Sequence, residues 1–251
     1  MSMDSLAQSG FIVTQVFTIL GLAVVAYFSG TLALRGFKVN YTRKIVHFTV
    51  FFLPFFFTDF FPYTPTLATS VFSGILLAVL ILFITKPVRE RIRFIKVIFA
   101  SIDRPEDRPH TVLWLSTQVI AGFAVLVPLA YMLYVRGQYK LIYIPLLING
   151  IGDGLAEPVG VKFGKRRYKA RAIFSKKSYT RTFAGSVCVF VSSILAVLFF
   201  HGNFTDTQLW AASIAMPVAM TIAEAVAPHT WDSPFLFLIG GTVLLTIIEF
   251  V

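Results

Sequence analysis

The sequence predicts an all-α protein: a polytopic membrane helix bundle of about seven to eight transmembrane helices, built as one integral domain over residues 1–251. Three observations carry that expectation. Hydrophobic residues make up 57% of the chain and charged residues only 14%, a balance foreign to water-soluble domains. Apolar runs at 11–34, 45–61, 66–85, 112–135, 141–157, 182–200, 207–227 and 235–251 approach the ~20 residues that cross a bilayer. Lys and Arg are segregated, with four at 35–44, seven at 86–108 and nine at 162–181 out of 22 in the chain. With alternating spans these three loops share one face, and the positive-inside tendency makes that face cytoplasmic.

The same segregation accounts for the net charge of +10 by contact with membrane lipids, so no nucleic-acid partner is expected. No Lys or Arg precedes the first apolar run. It reads as a retained helix rather than a cleaved signal, and a bacterial cytoplasmic membrane is the expected location. The single Cys188 lies in an apolar run, which excludes a disulfide framework.

Residues 1–10 are polar and are expected to fray ahead of the first run, which has no ionisable group. The second run opens on Arg43, Lys44 and His47. Arg43 and His47 are four apart and share a helical face, a spacing that fits phosphate or carboxylate contact and equally a pairing within the bundle. Residues 86–111 are expected to form a cytoplasmic loop that begins with an amphipathic helix, its apolar stripe being Val88, Ile92, Ile95 and Phe99. Asp103, Glu106, Asp107 and His110 beyond it read as a solvated prolyl turn rather than metal ligands.

Chemistry concentrates in the fifth run and the basic cytoplasmic loop 158–181 after it. Asn149, Asp153 and Glu157 recur at intervals of four, so a continuous helix stacks them on one face. An ionisable residue within a membrane segment is costly and usually faces a polar cavity, which makes Asp153 and Glu157 site candidates. Pro158 predicts a break or kink directly after them. The glycines at 150, 152, 154, 160 and 164 permit close approach by a helix or by a ligand. Glu224 and Asp232 bracket the cytoplasmic end of the seventh run.

Three short blocks carry a resemblance. The segment GDGLAEPVGVKFGKR (Gly152–Asp153–Gly154–Leu155–Ala156, then Gly160 and Gly164) resembles the central block of the CTP-dependent isoprenoid-alcohol kinases. That group comprises the phytol, farnesol and dolichol kinases and is related more distantly to phosphatidate cytidylyltransferase. Arg43, Lys44 and His47 are similar to the family's early block, and Arg181–Thr182–Phe183–Ala184–Gly185–Ser186 is similar to its Lys-Ser-Trp-Ala-Gly-Ser block. Ala184 matches the phytol-kinase side, whereas Glu157 stands where aspartate is common. Lys176–Lys177–Ser178 offers a competing alignment for the Lys-Ser pair. Glu224 and Asp232–Ser233 resemble a family Glu followed by Asp-Asn, with Ser233 as a departure.

The resemblance implies a kinase that phosphorylates a membrane-embedded lipid alcohol with CTP as donor. Under it Asp153 and Glu157 hold Mg²⁺, and Arg43, Lys44, Lys177 and Arg181 grip the nucleotide phosphates. The amides of Gly185 and Ser186 add donors, with Asn149, Thr182 and Asp232 in the binding region. His47 or Glu224 orients or deprotonates the alcohol. Nucleotidyl transfer to phosphatidate, phosphorylation of diacylglycerol, and a small transporter are the alternatives. The chain has no Gly-x-x-x-x-Gly-Lys-Ser/Thr phosphate loop and no Gly-x-Ser-x-Gly elbow.

Overall fold

In a computed structural model, which describes residues 3–64, 66–173 and 179–251, about 81% of the chain is helical. Each apolar run of the sequence becomes helix. They are α1 (Met3–Leu34), α2 (Val39–Phe60), α3 (Leu67–Phe83), α4 (Lys86–Arg91), α5 (Arg93–Ala100), α6 (Thr111–Val135), α7 (Tyr143–Leu147), α8 (Gly154–Phe163), α9 (Phe183–Phe199), α10 (Asp206–Val226) and α11 (Asp232–Phe250). Four stretches are long and apolar enough to cross a membrane: Ser9–Leu34, Thr111–Val135, Asp206–Val226 and Asp232–Phe250. Ala68–Phe83 and Phe183–Phe199 are shorter apolar helices. Outward faces carry large, mostly exposed apolar side chains such as Phe199, Trp210 and Ile214, the surface a lipid solvent favours.

Helix starts follow local chemistry. Thr205 and Gln208 exchange side-chain bonds with each other's backbone N–H in a capping box that opens α10, and Thr66 with Thr69 does the same for α3. At the other extreme α1 begins at Met3, within the stretch expected to fray. Residues 3–10 contain no proline, and extending a helix already nucleated by an apolar span costs little.

The chain divides into two compact units, Met1–Ser116 and Thr117–Val251, the division falling inside α6. In the first unit α1 packs along α2 and α5. Thr14 Oγ1 donates to the Phe61 carbonyl at 3.2 Å, and Phe17 stacks on Phe61 with ring centroids 5.3 Å apart. The amphipathic helix comes in two pieces, because Ile92 adopts extended backbone between α4 and α5. Of the apolar stripe, Phe99 is buried, Val88 and Ile95 are half-buried and Ile92 is exposed, so the stripe is spent partly on packing within the unit. The acidic turn is a staple rather than a solvated loop. Buried Arg104 pairs with buried Asp107 at 2.8 Å, and Asp103 accepts from Arg108 Nε at 2.8 Å and Thr111 Oγ1 at 2.7 Å. Among the described residues no group of three or more His, Cys, Asp or Glu is arranged to hold a metal ion.

The second unit is centred on α9, which packs against α8, α10 and the chain before α8. Its core joins Ile144, Ile148, Val189, Val197, Met216, Met220, Leu236 and Leu244. Between α7 and α8 the chain widens into a π-helical turn, Ile148–Asp153. The expected break at Pro158 is therefore displaced: α8 runs straight through Pro158, and the irregularity lies one to two turns earlier. Two glycines and an asparagine within Ile148–Asp153 weaken the α-helical preference there, and a widened turn changes hydrogen-bond partners without ending the helix. The basic loop holds the one departure from an all-α architecture among the described residues. β1 (Arg167–Ala170) and β2 (Tyr179–Thr182) pair antiparallel, with Tyr168 opposite Arg181.

Candidate active site

β2 feeds directly into α9, and that junction is fixed by small residues. Thr182 caps α9, its Oγ1 accepting from the Gly185 N–H at 3.1 Å. The cap fits because α8 presents Gly160 to it, where a Cβ would stand 2.6 Å from Thr182 Oγ1. A Cβ on Gly185 would come within 2.8 Å of the Ala156 carbonyl. The glycines of the central block thus serve the approach of α8 to α9, and two blocks far apart in sequence touch. Gly160→Val is expected to push Thr182 off its cap and lower stability by about 2 kcal/mol, from overpacking and a lost N-cap. A thermal midpoint in detergent equal to wild type contradicts this.

The strand pairing sets Tyr168 and Arg181 on one face of the hairpin, where they meet carboxylates from α10 and α11. Arg181 Nη1 donates to Glu224 Oε1 at 3.2 Å, while Nη2 donates to the Ala227 carbonyl at 2.9 Å and to Asp232 Oδ1. Glu224 Oε2 accepts from Ser186 Oγ at 3.0 Å and from Tyr168 Oη at 3.2 Å, and the two hydroxyls are 2.8 Å apart. The cluster is largely withdrawn from solvent, with the Arg181 and Glu224 side chains 12% and 6% exposed.

Burial works to lower the Arg181 pKa, but the carboxylates of Asp232 and Glu224 outweigh it, so the guanidinium is raised further and stays charged. Burial, then the Glu224 charge, pushes the Tyr168 phenol up to about 12. A raised folded-state value favours the protonated form. The Tyr168 bond to Glu224 is therefore fully present below pH ~10, the usual tyrosine value, and fades as pH rises toward about 12. Spectroscopic titration of tyrosinate should show a late-ionising phenol that is lost in Tyr168→Phe; identical titrations in the two proteins contradict it.

Several residues singled out in the sequence meet here: Arg181, Thr182, Gly185, Ser186, Glu224 and Asp232. Asp153, buried at the π–α8 junction, contributes to the electrostatics of both Arg181 and Glu224. Glu157 follows one turn later and is half-buried, and Asn149 is fully buried in the π-helical turn. Arg43, Lys44 and His47 belong to the first unit, on α2, where Lys44 is buried and His47 lies against Phe51 with centroids 4.8 Å apart. Lys177 lies outside the described residues. Arg181 is the counter-ion of two carboxylates, and the Gly185 N–H is bonded to the Thr182 cap of α9. Tyr168 and the Ala227 carbonyl were missed; the only sequence signal for Tyr168 is an aromatic alternating with exposed cations in β1.

Asp153 and Glu157 supply two oxygen donors one turn apart. That set fits Mg²⁺, which binds through one or two carboxylates and retains waters. No family model, curated protein or solved structure matches the chain.

Proposed function

We propose that the protein is an integral-membrane phosphotransferase that moves the γ-phosphate of CTP to a lipid alcohol of the isoprenoid type. The observation that carries this reading is the buried network of Arg181, Glu224 and Asp232, closed by Tyr168 and Ser186, with Asp153 in its field. Residues of separate resemblance blocks build it. A buried ionic network adds little net stability over apolar packing, so its presence in a lipid-facing bundle speaks for chemistry.

In this reading Asp153 and Glu157 would hold Mg²⁺, and the ion would supply neutralisation of phosphate charge there. Lys177 of the basic loop is the phosphate cation of this reading. Arg181 acts through its partners, holding the Glu224 and Asp232 carboxylates in place. Glu224 is the acceptor for the alcohol: the substrate O–H donates to it as Ser186 Oγ–H does. As the alcohol oxygen bonds to the γ-phosphorus, the bond to the bridging oxygen breaks, CDP leaves and the alcohol proton passes to the carboxylate and on to water. In this reading the reaction runs on the cytoplasmic face of a bacterial cytoplasmic membrane, an orientation that the positive-inside tendency supports.

The test supplies detergent-purified protein with γ-labelled CTP, Mg²⁺ and, separately, phytol, farnesol, a polyprenol, diacylglycerol and phosphatidate. Label in an isoprenoid alcohol supports the reading and names the substrate. Label in diacylglycerol alone replaces the substrate class, and no label in any lipid removes the activity.

A further inference from the structure

The corner that joins α10 to α11 carries two buried donors the cluster does not use. Thr230 is 3% exposed and its Oγ1 has no hydrogen-bond partner; the indole Nε1 of the next residue, Trp231, is also buried and unpartnered. Buried donors are paired almost without exception in native proteins, so two in succession point to a ligand that pairs them. The backbone commits to this arrangement. Thr230 sits at φ 67, a left-handed conformation that β-branched residues avoid. Trp231 is the N-cap of α11, whose first turn is capped by no side chain.

Chemistry restricts the occupant. Asp232 follows immediately and is neutralised by Arg181, which Glu224 shares, so an additional anion gains no free cation from this cluster. An uncharged group with adjacent acceptors fits better, since the indole N–H only donates and the hydroxyl donates readily. Beside them His229 stacks on Tyr179 with centroids 3.6 Å apart and planes 10° from parallel, and the His229 N–H is tied to the Arg171 carbonyl at 2.7 Å. The corner is an aromatic, donor-bearing step next to the charged cluster.

We propose that residues 229–232 form a nucleobase subsite in which Thr230 Oγ and Trp231 Nε1 donate to two adjacent acceptors of a pyrimidine ring. This rests on the phosphotransferase reading and deepens it. Cytosine presents a carbonyl oxygen beside an unprotonated ring nitrogen, whereas uracil carries N–H at that nitrogen, so the corner favours CTP over UTP.

The test measures calorimetric binding of CTP, UTP and tripolyphosphate, each with Mg²⁺, to the full chain in detergent. Thr230→Val removes only the hydroxyl, because valine keeps the branched Cβ at the strained position; Trp231→Phe removes the indole donor. Each variant should bind CTP about tenfold more weakly and bind tripolyphosphate as wild type does. The Thr230→Val apoprotein should melt no lower than wild type, since an unpaired buried donor has been removed. Unchanged CTP affinity in both variants, an equal loss for tripolyphosphate, or a much lower Thr230→Val melting point overturns the subsite. Wild-type protein that binds neither nucleotide overturns both readings, whereas wild-type CTP binding retained in both variants overturns this one alone.

Discussion

Arg181→Met is expected to be the most damaging single substitution in the second unit. It removes the one guanidinium that bridges Glu224, Asp232 and the Ala227 carbonyl, leaving the buried Glu224 and the partly buried Asp232 without that counter-ion. Breaking a buried pair by deleting one partner costs about 3–5 kcal/mol, a large share of the ~5–15 kcal/mol that separates folded from unfolded protein. Arg181→Lys should recover only part of this, because a single ammonium does not span acceptors that the planar fork reaches together. Neutralising the carboxylates in the same chain, as Arg181→Met with Glu224→Gln and Asp232→Asn, should restore most of the lost stability and none of the activity. Thermal midpoints in detergent read the series, and a wild-type midpoint for Arg181→Met contradicts the assigned charge balance.

The second large effect is on turnover. Asp153→Asn keeps the shape of a side chain buried at the π–α8 junction and removes its charge. If Asp153 holds Mg²⁺, phosphoryl transfer should fall by about a thousandfold or more, the several kcal/mol that metal charge contributes to such a transition state. Stability should change little, since the amide fills the same volume. Near-normal activity in a folded Asp153→Asn protein removes this residue from the mechanism, and loss of folding assigns it a structural role.

The helices were legible because membrane spans announce themselves by length and composition: every apolar run of the sequence corresponds to helix. Local punctuation was read less well. Pro158 signals a break, yet the preceding widened turn displaces the irregularity to Ile148–Asp153, and only the weak helix formers Asn149, Gly150 and Gly152 hint at it. The hairpin was hidden because its four-residue strands, rich in Arg and Lys, lack the apolar alternation that marks a half-buried strand. Within the site, Arg181, Glu224 and Asp232 were each singled out, but their mutual pairing was not. Arg181 stands 43 residues from Glu224 and 51 from Asp232, and separations of that size leave no periodic trace. The partner of a charge is set by the topology of α9, α10 and α11, which composition does not encode.

The most direct measurement of the central claim supplies the purified protein with CTP labelled at either the α or the γ phosphate, together with Mg²⁺ and an isoprenoid alcohol or phosphatidate. The account predicts γ label in the alcohol, CDP as the other product, and no α label in any lipid. Transfer of α label to phosphatidate with release of pyrophosphate contradicts it and makes the same cluster a nucleotidyl-transfer site.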